Sequence, residues 1–93
     1  MISEEDCLAF CGLSEREVAA IAKHERIPDV AAAALANFLL TKDGGEMVIR
    51  QMLMEDINDA LDHNRIQDAT ELLVTLRRFL INHPRATEDL PLE

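Results

Sequence analysis

The chain has 93 residues, of which 48% are hydrophobic and 29% are charged, and this ordinary globular composition excludes a wholly disordered chain. Its formal net charge of -9 repels phosphate backbones and anionic lipids, so we expect neither nucleic acid nor a membrane surface as a partner. With three Phe and no Tyr or Trp, the composition disfavours β-strands and predicts an all-α fold with an aliphatic core.

The N-terminal segment combines a helix start with an acidic cluster. Ser3 precedes acidic residues that complement the positive end of a helix dipole, and Gly12 predicts the end of a short helix. The same acidic cluster stands where a secretory signal needs positive charge, and no apolar run reaches ~18 residues. We therefore expect a cytoplasmic protein.

The two cysteines of the chain, Cys7 and Cys11, lie four residues apart in this segment. Two thiolates at that spacing can bind a soft metal, but the chain has no second cysteine pair to complete such a site. In a reducing compartment, free cysteines are more often small buried hydrophobic residues than ligands. We therefore favour reduced thiols and keep metal binding as an alternative.

Two helices are predicted in the next third of the chain. Ser14 and Glu17 form a capping box, which predicts a helix over Glu15–Glu25 with Val18, Ile21 and Ala22 facing inward. Pro28 suits the first turn of the next helix, which ends before the turn at 42–45. The apolar residues assigned to this second helix are Val30, Ala31, Ala34, Leu35, Phe38 and Leu39. The many alanines predict close packing between the two helices.

The clearest pattern lies between Glu46 and Pro84, where two apolar stripes at helical spacing flank a short polar turn. One helix is predicted from about Glu46 to His63, and Asn64 can close it in a left-handed conformation. The other runs from Ile66 or Gln67 to His83. The stripes are Ile49, Met52, Leu53, Ile57, Ala60 and Leu61, then Ile66, Ala69, Leu72, Leu73, Leu76, Phe79 and Leu80. They predict a C-terminal antiparallel helical hairpin.

Together these patterns predict an all-α protein, a small bundle of four to five helices in one domain. The predicted domain covers residues 1–84, and residues 85–93 form a short polar C-terminal tail.

The candidate polar site is an acidic edge of the first hairpin helix. Glu55, Asp59 and His63 follow one another at intervals of four residues, which places them on one helical edge that could bind a metal ion. A metal site normally takes further ligands from another helix, so we favour a solvated edge in which His63 complements the negative end of the helix dipole. His24 and His83 are interpreted in the same way, as residues at helix ends.

Motifs for catalysis or cofactor binding are missing from the sequence. Gly44 and Gly45 lack the Lys and the Ser or Thr that a phosphate-binding loop needs downstream. The helices before and after Pro28 have the order of a helix-turn-helix, but Ala31 to Ala34 offer no side chain that reads bases. We expect a protein that is not an enzyme, has no cofactor and acts through protein contact, as a homodimer or an accessory subunit. The alternative is a helical metal-binding protein.

Overall fold

The computed structural model describes residues 13–88 of the chain, which form four α-helices and one 3-10 turn. Every regular element within this range is helical, so the predicted all-α bundle is confirmed. The helix predicted before Gly12 and the last five residues lie outside the described range. The elements are α1 (Glu15–Glu25), α2 (Asp29–Leu40), α3 (Gly45–Asp62), α4 (Ile66–Asn82) and the 3-10 turn Pro84–Thr87.

Helix α1 begins and ends where local chemistry predicts. The Glu17 backbone N–H donates to Ser14 Oγ over 3.3 Å, and the Ser14 N–H donates to Glu17 Oε1 over 2.8 Å. This reciprocal pair satisfies two backbone donors at the helix start. At the other end Arg26 adopts a left-handed conformation with φ 59° and donates its N–H to the Ala22 carbonyl. Val18, Ile21 and Ala22 are buried as predicted.

Helix α2 packs on α1 and α3 through alanines, as its alanine-rich sequence predicted. Ala32, Ala33 and Ala36 are buried in the core. Of the apolar residues assigned to this helix, Leu35 and Leu39 pack partly against the core. The others, Val30, Ala31, Ala34 and Phe38, are exposed. In a helix that is apolar on nearly every side, the neighbouring helices decide which side is buried.

Helices α3 and α4 are the two longest helices and make more contacts with each other than any other pair of elements. Residues 63–65 connect them, and Asn64 has the left-handed conformation predicted for it, with φ 58°. At the start of α3, Glu46 Oε2 lies 3.4 Å from Nδ1 of His83, directly after α4. The two helices therefore run in opposite directions.

The core lies between the α1–α2 layer and the α3–α4 pair. Its largest fully buried apolar side chains are Phe79, Ile21, Ile49 and Leu53, which come from three of the four helices. Thr75 is also buried, and its hydroxyl donates to the Glu71 carbonyl over 3.0 Å, so burial leaves this donor satisfied.

The segment after α4 packs against the bundle. Ala86, in the 3-10 turn, is fully buried, and Arg50 Nη1 donates to its carbonyl over 2.8 Å. The described part of the predicted tail therefore packs against the bundle through Ala86.

Candidate interaction surface

Two of the three predicted metal ligands lie together at the end of α3. His63 Nδ1 is 3.3 Å from Asp59 Oδ1 and 2.9 Å from the Asp59 carbonyl oxygen. Glu55 lies one turn earlier and contacts another helix, since its Oε1 is 3.5 Å from His24 Nε2. Within residues 13–88, no three His, Cys, Asp or Glu side chains are arranged to hold a metal ion. Metal binding stays a prediction, and Cys7 and Cys11 lie outside the described residues.

His24 lies in the last turn of α1, as predicted, and it also contacts a second helix. Its Nδ1 lies 2.9 Å from Asp56 Oδ1 on α3, and both side chains are largely buried. Because a carboxylate only accepts hydrogen bonds, His24 Nδ1 is the donor to Asp56 Oδ1. The residue therefore ties the end of α1 to the middle of α3. Its partner is 32 residues away, so helix-end statistics could not reveal it.

His83 also has tertiary partners. Its ring stacks on Phe79, with the ring centroids 4.7 Å apart, and its Nδ1 faces Glu46 of α3. All three histidines lie at helix ends, as predicted. His63 differs from the other two because it is exposed and bonded to Asp59 of its own helix.

A polar cavity of about 310 Å³ lies where the end of α1 meets the connection between α3 and α4. Arg65 Nη2 is 2.8 Å from Asp59 Oδ2, its Nε is 3.6 Å from Asp68, and Asp56 is bonded to His24. Each carboxylate of the cavity thus already has a cationic or imidazole partner. The wall consists of Lys23, His24, Arg26, Asp56, Asp59, Arg65, Asp68 and Leu72. This arrangement can hold three helices together by charge.

The α3–α4 pair keeps part of its apolar stripes outside the core. Ile49, Leu53, Ile57, Ala60, Ala69 and Phe79 are buried. Met54, Leu61, Ile66 and Leu73 are instead 41 to 56% exposed, although three of them belong to the predicted stripes. The sequence indicated wide apolar faces but could not divide each face between core and surface.

Further apolar side chains extend this exposed surface along α4. Val74 and Ile81 are exposed. An open, largely apolar depression of about 520 Å³ lies beside them, lined by Leu73, Leu76, Arg77, Leu80 and Ile81. Contiguous exposed apolar surface on a small protein is typical of interaction sites. Arg77 supplies the one charge in the lining of this depression.

Comparison of the chain with protein-family models, with curated proteins and with solved structures finds no match. No helix within residues 13–88 combines the length and the apolar character needed to cross a bilayer.

Proposed function

We propose that this protein has no catalytic activity of its own and acts through protein contact, as a homodimer or as an accessory subunit of a larger assembly. The proposed contact unit is the antiparallel hairpin of α3 and α4. A cytoplasmic location is part of the proposal and rests on sequence composition alone.

One observation carries the proposal: the apolar residues left exposed by α3 and α4. An isolated exposed Leu is ordinary on a protein surface, but Leu61, Ile66 and Leu73 come from the two helices that contact each other most. Burying such side chains against a partner removes apolar area from water, which stabilises association by ~25 cal/mol per Å² before the costs of association are subtracted. Met54 adds a flexible side chain that adapts to a partner surface.

The polar groups of the described residues support a non-catalytic function less directly. A nucleophile or general base needs a free reactive group held beside a second group. The part-buried imidazoles of His24 and His83 are instead engaged with carboxylates that join helices. Packing between helices is therefore enough to explain why these two imidazoles are part-buried, without a catalytic role.

The test compares the wild-type protein with two double variants. Leu61→Gln with Leu73→Gln removes apolar area from the exposed hairpin surface while keeping the net charge and good helix propensity. Val30→Gln with Phe38→Gln is the matched control, because those side chains are similarly exposed but lie on α2, outside the hairpin. Circular dichroism and thermal melting first verify that each variant is folded.

Sedimentation velocity at tens of micromolar and a pull-down with tagged protein then measure association. We expect the wild-type protein and the control to associate with themselves or with a partner, and the Leu61/Leu73 variant to lose that association by about tenfold or more. A monomeric wild-type protein whose pull-down equals that of the Leu61/Leu73 variant would contradict the proposed function.

A further inference from the structure

We infer that the partner of the hairpin surface is a second copy of this chain, related by a two-fold axis parallel to the helices, so that α3 of each copy lies over α4 of the other. The inference rests on the proposed function and names the partner. Three observations lead to it: the register of the apolar residues, the side on which they lie and the charges at the two edges.

The register comes from the short connection at 63–65. Exposed or half-buried apolar residues recur every seven positions on both helices, and residues equally far from the turn lie side by side in an antiparallel pair. The Glu46–His83 contact near the far end agrees with this register. The three apolar rungs are Leu61 with Ile66, Met54 with Leu73, and Met47 with Leu80.

The two exposed rungs, Leu61 with Ile66 and Met54 with Leu73, lie on the side of the hairpin that faces away from α1 and α2, while Leu80 of the third rung also packs partly against the core. On α3, Asp56 bonds to His24 of α1, and Met54 stands two positions earlier, about 160° around the helix. On α4, Thr75 lies in the groove against α1, and Leu73 stands two positions earlier, again about 160° away. We call this side, with its three rungs, the outer face. A second hairpin packed on the outer face would cover these apolar residues.

The charges beside the rungs favour a second copy of this chain. Arg77 on α4 borders the outer face, and it forms no ion pair within residues 13–88. On α3 the exposed residues Glu55 and Asp62 lie seven positions apart on the edge away from α4, and Glu55 also contacts His24 of α1 over 3.5 Å. Each hairpin therefore offers a basic edge on one helix and an acidic edge on the other, which a copy of the same hairpin can complement.

Charge also selects the direction of the axis. A two-fold axis parallel to the helices brings α4 of one copy over α3 of the other, so that Arg77 meets the edge with Gln51 and Glu55. A two-fold axis across the helices would place α3 on α3 and bring the two acidic edges together, which is unfavourable for chains that each carry -9. Rotation about an axis parallel to the helices does not shift residues along the helices, so Met54 lies opposite Leu73 of the second copy.

Disulfide trapping tests this arrangement in the full-length chain with Cys7→Ser and Cys11→Ser as background. A Met54→Cys protein and a Leu73→Cys protein are mixed, oxidised gently and separated by mass. We expect the mixed 54–73 dimer to exceed each like-with-like dimer by about fivefold or more, since only residues in contact reach disulfide distance. A Val30→Cys protein on α2 is the control and is expected to stay unlinked.

Charge reversal adds a measurement on the non-covalent dimer. Arg77→Glu is expected to raise the dimer dissociation constant about fivefold, because the symmetric dimer loses two Arg77 contacts at once. Arg78→Glu makes the same change one position further round α4, off the outer face, and is expected to have a smaller effect. Equal effects of the two variants would overturn the assigned axis, and so would a predominance of 54–54 dimers.

Two other outcomes separate this inference from the proposed function. A monomeric wild-type protein that captures a different chain in a Leu73-dependent way would overturn the second copy and leave the proposed function standing. A monomer that captures nothing, as expected if the chain's own residues 1–12 covered the outer face, would overturn both.

Discussion

Two adjacent glycines have different functions at the start of α3. Gly44 precedes the helix with φ 78° in the left-handed region, where a side chain costs backbone energy, although a Cβ there would meet no atom within 4 Å. Gly45 has no unusual backbone angle, but a Cβ at Gly45 would overlap the carbonyl group of Leu39. One glycine is therefore required by its conformation and the other by the close approach of α2.

The pair Gly44→Ala and Gly45→Ala separates these two requirements. We expect Gly44→Ala to lower the free energy of unfolding by ~1 kcal/mol, the cost of a left-handed alanine. Gly45→Ala should cost ~3 kcal/mol or more, because the overlap is with backbone atoms that cannot rotate away. Urea denaturation measures both variants, and a smaller loss for Gly45→Ala than for Gly44→Ala would show that the junction between α2 and α3 yields easily.

At the scale of elements, histidine contacts join helices that are far apart in sequence. The His24–Asp56 hydrogen bond connects α1 to α3 in a largely buried setting, whereas the His63–Asp59 pair lies exposed within α3 and its C-cap. Water competes for the hydrogen bond of the exposed His63–Asp59 pair and has less access to the part-buried His24–Asp56 pair. The two pairs thus allow one type of contact to be compared in two environments.

Double-mutant cycles measure this difference. For His24→Ala and Asp56→Ala we expect a coupling free energy of about 1 kcal/mol, in the range of a part-buried side-chain hydrogen bond. The matched cycle of His63→Ala and Asp59→Ala should give less than about 0.5 kcal/mol. Equal couplings in the two cycles would mean that the inter-helix contact adds nothing beyond local helix-end electrostatics.

The sequence predicted helix ends better than helix faces. Ser14, Glu17 and Asn64 act on backbone groups within a few residues, so local chemistry is enough to place the ends of α1 and α3. The sequence could not select the inward face of α2, because its alanines and leucines surround the helix and only the positions of α1 and α3 decide between them. The partner of His24 was missed for the same reason, since it comes from a distant helix.

The candidate surface was predictable in width but not in position. The stripe that contains Leu72, Leu73 and Leu76 is too broad for one contact, which already indicated a second apolar neighbour. Only the packing of α1 against α4 shows that Leu72 turns towards the core and Leu73 away from it.

At the scale of the whole molecule, net charge opposes the proposed dimer. Two chains of -9 repel each other at long range, while the apolar rungs attract only on contact. Self-association should therefore respond to salt in the direction opposite to that of a complex between oppositely charged partners.

We expect the dimer dissociation constant to fall as NaCl rises from 10 to 150 mM, because the Debye length shortens from ~30 to ~8 Å. Sedimentation equilibrium at each salt concentration measures the change, with Arg77→Glu as a more acidic chain that should show a steeper dependence. A dissociation constant that rises with salt would indicate that attractive ion pairs, and not apolar contacts, hold the copies together.

The short connections between helices also bear on how the chain folds. Residues 26–28, 41–44 and 63–65 are the only chain between successive helices within the described range, so most neighbouring helices meet after closing a very small loop. Closing such loops costs little entropy, and chains dominated by local contacts fold in microseconds to milliseconds. Fast folding would shorten the time during which partly folded chains expose apolar side chains, which limits aggregation during synthesis. The folded protein still exposes the apolar rungs of the hairpin.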